Sequence, residues 1–102
     1  MMLHAVYFWL DPDLTEAQHE EFTAGLRALC ALDPVARGRI GSPAGTASRP
    51  VTDHSFDHAL FLEFDSVPKH DEYQVHPGHD EFVRRFSPWF RTVRVYDTEF
   101  RA

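Results

Sequence analysis

Phe56-Asp57-His58-Ala59-Leu60-Phe61-Leu62-Glu63-Phe64-Asp65 is the stretch on which the fold turns. Phe56, His58, Leu60, Leu62 and Phe64 alternate with Asp57, Ala59, Phe61 and Glu63, the period of two that sends neighbouring side chains to opposite faces of a strand. One face is plainly apolar and the other is partly so. Met2 to Leu10 reads the same way. Leu3, Ala5, Tyr7 and Trp9 share one side, His4, Val6, Phe8 and Leu10 the other, and Asp11-Pro12 ends the run. Strands apolar on both sides need cover above and below.

Working outward, Thr15-Glu16-Ala17-Gln18 spells a capping box and predicts a helix to about Leu32, with Phe22, Leu26, Leu29 and Cys30 at helical spacing. Val35 to Gly41 is a weakly spelled strand, and Gly41 to Asp53, with its glycines and prolines, is a long loop. Ser66 offers a cap for a short helix from Val67 to about Val75. His76-Pro77-Gly78 interrupts it before a second helical piece, His79 to Phe86, and Thr92 to Phe100 is the last strand. The order β-α-β-β-α-β predicts a ferredoxin-like α+β unit: a four-stranded antiparallel sheet with the helices on one face. No residues remain to cover the other face, so the pattern predicts a second copy of the chain as its cover and a homodimer as the assembly.

The whole chain of 102 residues is expected to be a single domain, long enough for one core. Its 16 Asp+Glu against 10 Lys+Arg give a net charge of −6 and no basic stripe, which argues against nucleic acid as a partner. A hydrophobic share of 43% and a charged share of 25% exclude disordered, collagenous and membrane-spanning classes. The lone Cys30 gives no disulfide, and the start carries no targeting signal, so a cytoplasmic protein is expected. Seven histidines are the unusual feature.

Their chemistry concentrates in Tyr73-Gln74-Val75-His76-Pro77-Gly78-His79. His79 precedes Phe82, Val83 and Phe86 by three, four and seven residues, so on a helix it points inward with them. In the first turn, the positive end of the helix dipole disfavours a charged imidazole and keeps it available as a base near neutral pH. Such a group can remove a proton beside a carbonyl, and Tyr73 could hydrogen-bond the developing oxyanion. The residues equally admit a structural account, in which His76 caps a helix, His79 bonds a carbonyl and Tyr73 is a core residue with a satisfied hydroxyl. His4 and His58 occupy alternation slots on otherwise apolar strands; each either lines a cavity or is satisfied within the core. His19, His54 and His70 read as surface residues.

The start Leu3-His4-Ala5-Val6-Tyr7-Phe8, the strand His58 to Phe64, the Tyr-x-x-His-Pro-x-His block and the ending Val95-Tyr96-Asp97 together resemble the stress-responsive dimeric α/β-barrel (Dabb) family over nearly the whole chain. The resemblance implies a ferredoxin-like unit dimerising sheet to sheet into a barrel. At its working residues the chain is similar to a polyketide-cyclase branch of that family, which closes aromatic rings by intramolecular aldol chemistry without a cofactor. The resemblance makes His79 the base, Tyr73 its hydrogen-bonding partner, and His4 and His58 residues of the cavity. With His76 at its rim, the expected ligand is a small aromatic or acyl-chain molecule in the barrel interior. The competing expectation is a non-catalytic binding dimer in which the motif serves the fold.

No metal site or cofactor is expected. His76 and His79 stand three apart, but Pro77 holds His76 extended, and there is no His-Glu-x-x-His or cysteine ligand set. A loosely held hard cation on the acidic surface stays open. Cys30, in the apolar stripe of the first helix, is expected to be an inert core thiol.

Overall fold

The alternation in the two central strands produces what it requires, a sheet with one face sealed. The computed structural model describes residues 1–101. Its elements run β1 (Met2–Leu10), α1 (Glu16–Cys30), β2 (Arg37–Gly41), β3 (His58–Phe64), α2 (Val67–Gln74), α3 (Pro77–Phe86) and β4 (Phe90–Glu99), with a 3-10 turn at Ser87–Trp89. The strands form one antiparallel sheet in the order β2-β3-β1-β4. This is the ferredoxin-like α+β arrangement the sequence predicts, with the second helix broken in two at His76-Pro77.

The local signals act as spelled. Thr15 accepts from the Gln18 backbone N–H while the Gln18 side chain accepts from the Thr15 N–H, so both arms of the capping box are closed. Ser66 caps α2, and His76 caps α3 by accepting the Gly78 N–H at Nδ1, 2.9 Å away. Strand ends differ by a residue or two from the expected limits. β2 begins at Arg37: Val35 N–H is spent on a turn bond to the Leu32 carbonyl, and Ala36 N–H reaches the Glu63 carbonyl of β3 just before the regular pairing begins.

Phe22, Leu26, Leu62 and Phe64 are fully buried between the helices and the sheet, and Val6, Phe8, Leu10 and Leu60 complete that layer. Close approach of α1 to β2 depends on Gly38. A Cβ there would stand 2.5 Å from the Cys30 Cβ and 2.6 Å from its sulfur. Half-buried in this seam, the Cys30 thiol is pushed up by burial, which keeps it protonated and unreactive.

The opposite face carries Leu3, Ala5, Tyr7 and Trp9 of β1, Phe61 of β3 and Arg94 and Tyr96 of β4, none of them covered by a helix. The long connection between β2 and β3 returns across it, where Phe56 meets Tyr7 edge-on at 4.9 Å and Ser55 accepts from the Trp9 indole N–H at 2.9 Å. The result is a half-open hollow of about 540 Å³. β4 is the outer strand beside β1. A bulge between Trp9 and Leu10 shifts its register, so that Thr92 faces Trp9 but Phe90, not Arg91, faces Leu10.

Candidate functional site

Three of the five residues singled out from sequence meet in one place. His4 projects from β1 toward the helices and is buried, Tyr73 lies buried at the end of α2, and His79 is half-buried in the first turn of α3. The Tyr73 and His79 rings stand edge to face at 4.9 Å, and His4 meets Tyr73 edge-on at 5.9 Å. All three line a cavity of about 140 Å³ between the sheet and the helices of one chain. It lies on the opposite side of the sheet from Tyr7, Phe61 and Tyr96, so the expected place for the ligand, the interior of a sheet-to-sheet barrel, is corrected: alternation turns His4 toward the helices with Val6 and Phe8. Its mouth is the gap that α3 leaves over β4, edged by the partly exposed Val83, Val93 and Val95.

Burial sets the protonation states. It holds the His79 imidazole below the ordinary histidine range against the opposing charge of Asp80, and it raises the Tyr73 phenol well above the usual tyrosine range. At neutral pH His79 is therefore an uncharged base and Tyr73 a protonated donor. His79 Nδ1 is buried with no hydrogen-bond partner among the described residues. The structural account expected a carbonyl on His79, and at this nitrogen there is none. His4 is likewise held low by burial, partly offset by Asp97, whose carboxylate lies 2.5 Å from His4 Nδ1 across the β1–β4 pairing.

The other two expected ligand-binding residues stand apart. His58 faces the helix side as the alternation predicts, but it pairs with Phe8, whereas His4 pairs with Leu62 four residues further along β3. Four residues of strand span about 13 Å. His58 instead meets His19, with ring nitrogens 2.9 Å apart, and rests against Phe22 at 5.0 Å. His76 spends its Nδ1 on the cap of α3, as the structural account expected.

Two histidines expected at the surface are partly buried. His19 sits on His58, and His70 of α2 lies against His4 with ring centroids 4.9 Å apart. His70 was legible in principle, because its spacing of three from Tyr73 places both on one helix face.

The sequence profile of the Stress responsive A/B Barrel Domain matches residues 2–100. Among curated proteins no sequence match was found. Solved structures similar to this fold include a hydroxynitrile lyase from Passiflora edulis, 23% identical, with a TM-score of 0.82 over 98% of this chain and 93% of that one. A Dabb-family protein from Mesorhizobium loti with a ferredoxin-like fold is 21% identical, with a TM-score of 0.79 over 99% and 97%. A dimeric ferredoxin-like protein from Thermobifida fusca is 19% identical, with a TM-score of 0.79 over 97% and 90%. Sheet order, helix placement and a profile match spanning nearly every residue agree, and the chain belongs to the stress-responsive α/β-barrel (Dabb) family.

Proposed function

We propose that the protein is a cytoplasmic homodimer in which each protomer binds a small aromatic or acyl-chain molecule between sheet and helices. There it removes a proton beside a carbonyl without a cofactor. The observation that carries this reading is the pairing, in one cavity, of an uncharged His79 with an unpartnered ring nitrogen and a Tyr73 held protonated. His79 takes the proton from the carbon next to the carbonyl, and the electron pair moves onto the oxygen. Tyr73 donates a hydrogen bond to that enolate. Attack of the enolate carbon on a second carbonyl of the same molecule closes a ring, and the His79 imidazolium returns the proton to the new alkoxide. The similarly folded Passiflora enzyme, a lyase, supports catalysis on this fold.

Size limits the substrate. A cavity of about 140 Å³ is close to the roughly 150 Å³ that accommodates benzene, so one ring or a short dicarbonyl segment fits inside. A longer acyl chain leaves through the valine-edged mouth. The same smallness favours a second reading, a non-catalytic binding module, because ligand pockets usually run to about 300–1,000 Å³.

The open sheet face supports dimerisation: Tyr7, Phe61 and Tyr96 form an aromatic surface that no helix covers and the β2–β3 connection covers only in part, and the Thermobifida protein is dimeric. No helix among the described residues is long and apolar enough to cross a membrane.

Turnover of a panel of short triketides and 1,3-dicarbonyls by the wild type, His79→Ala and Tyr73→Phe tests the mechanism. Loss of a positioned base is expected to slow the reaction by about 10²–10⁴-fold. Unchanged turnover in both variants sinks the mechanism, and tight binding without turnover in the wild type establishes the binding module.

A further inference from the structure

One cluster next to the cavity is not used by proton abstraction. His4 of β1, His70 of α2 and Asp97 of β4 each present a ligand atom, and these atoms lie within 4.8 Å of one another. The orientation of His70 is the informative part. Its Nδ1 lies 3.0 Å from the Asp71 carboxylate, while its Nε2 is buried with no partner among the described residues. A carboxylate on one ring nitrogen, with a free lone pair on the other turned inward, is the arrangement by which proteins orient a metal-binding imidazole. An imidazole serving only packing would not leave a buried nitrogen unpaired.

His4 and Asp97 complete the set. They sit directly opposite each other on paired strands, with Nδ1 and Oδ1 2.5 Å apart. The His4 and His70 rings stand 4.9 Å apart, tilted at 58°. Two imidazoles and one carboxylate suit zinc and the other divalent transition ions, whereas calcium and magnesium prefer all-oxygen sets.

We propose that His4, His70 and Asp97 form a site for one divalent transition-metal ion, with zinc as the simplest occupant. Bonds of about 2.0–2.2 Å to the ion put ligand atoms roughly 3.3 Å apart in a tetrahedron. His4 Nδ1 and Asp97 Oδ1, 2.5 Å apart, therefore separate to admit the ion while His70 closes on it, and the Asp97 side chain, 44% exposed on the outer strand, is free to move. The ion takes the place of the proton between His4 Nδ1 and Asp97, and that proton moves to His4 Nε2, so that His4 binds as a neutral imidazole. Three protein ligands leave a fourth position for water. The expectation of no metal site came from His76 and His79; this set joins three elements whose alignment the sequence does not display. It is independent of the reaction proposed above, because the metal alone reads it.

Chelator-treated protein titrated with Zn²⁺ by calorimetry and with Co²⁺ by visible absorption tests the proposal. One ion per chain is expected, with the intense d–d bands of a four- or five-coordinate cobalt. His70→Asn and Asp97→Asn should each weaken binding at least tenfold, with far-UV circular dichroism confirming that they fold, whereas His58→Asn should bind as the wild type does. Asp97→Asn, at the outer strand, keeps the test sharp if His70→Asn fails to fold. No saturable binding overturns the proposal. Binding lost in His58→Asn but kept in Asp97→Asn also overturns it, since the ion would then sit on the His19–His58 pair.

Discussion

The two faces of the sheet are built from the same strands and end in opposite states. On the helix side β1 and β3 contribute Val6, Phe8, Leu60, Leu62 and Phe64 to a closed layer, and the histidine–tyrosine cavity inside it measures about 140 Å³. On the other side the same two strands present Tyr7, Trp9 and Phe61 to a half-open hollow of about 540 Å³. The larger hollow is the less chemical of the two. Its polar groups, Asp53, His54 and Arg94 among them, lie round an aromatic floor, whereas the perturbed imidazoles of His4 and His79 and the Tyr73 phenol belong to the small cavity. The difference matches the two tasks proposed above, chemistry within a protomer and assembly through the open face.

The largest effect that can break this division comes from truncating one aromatic on each side. Phe22→Ala, in the sealed layer, should cost about 3–5 kcal/mol in urea denaturation. Phe61→Ala should act instead on association, lowering the dimer fraction in sedimentation at low micromolar concentration. If Phe61→Ala destabilises as much as Phe22→Ala at every protein concentration, the open face is part of the protomer core.

Two glycines of β2 give a finer cut. Gly38 faces the helices under Cys30, so Gly38→Ala forces the seam apart and should cost about 1–3 kcal/mol. Gly41 is on the open side, where a Cβ meets nothing within 4 Å, and Gly41→Ala should stay within about 0.5 kcal/mol. Equal losses would mean that the open face is already closely packed.

Acid should act more gently, and on the sealed side. His4, His58 and His79 are all held low by burial. Above the ordinary histidine value near 6.5 they are neutral both folded and unfolded, and their stability contribution is complete. As pH falls below that value the unfolded chain takes up protons that the folded chain resists, so stability drops toward the folded values. The midpoint of thermal unfolding should therefore be lower at pH 5.5 than at pH 7.5, and His58→Gln should flatten the slope. A midpoint that rises on acidification contradicts the assignment.

Period and punctuation made most of the fold legible. The two-sided strands announced both faces, and Thr15 and Gln18 announced α1. The site was legible as a motif and less so as a place. Alternation told which face His58 takes, but only register tells how far along β3 it lies from His4, and register depends on pairings between distant segments. Asp97 was hidden for the same reason. It faces His4 through a pairing between residues 93 positions apart. His70 was missed because α2 is polar in composition, and a single buried face on an eight-residue helix leaves little periodic signal.

The bulge between Trp9 and Leu10 now has a meaning beyond geometry. By letting β4 contribute one extra residue, Arg91, it allows Phe90 and Val93, three apart, to point toward the helices, where an unbroken strand would send them to opposite sides. Phe90 joins the Phe8, Phe22 and Phe82 cluster, and Val93 opens the run of Val93, Val95 and Asp97 that edges the cavity and reaches His4. A bulge is a lock against sliding, since a slip of one residue would carry Asp97 to the open face and bring Tyr96 or Thr98 beside His4. The outer strand thus works like a key cut on both sides, with one side shaped for the helix-side cavity and the other for the open face, and the bulge is the shoulder that stops it at the right depth.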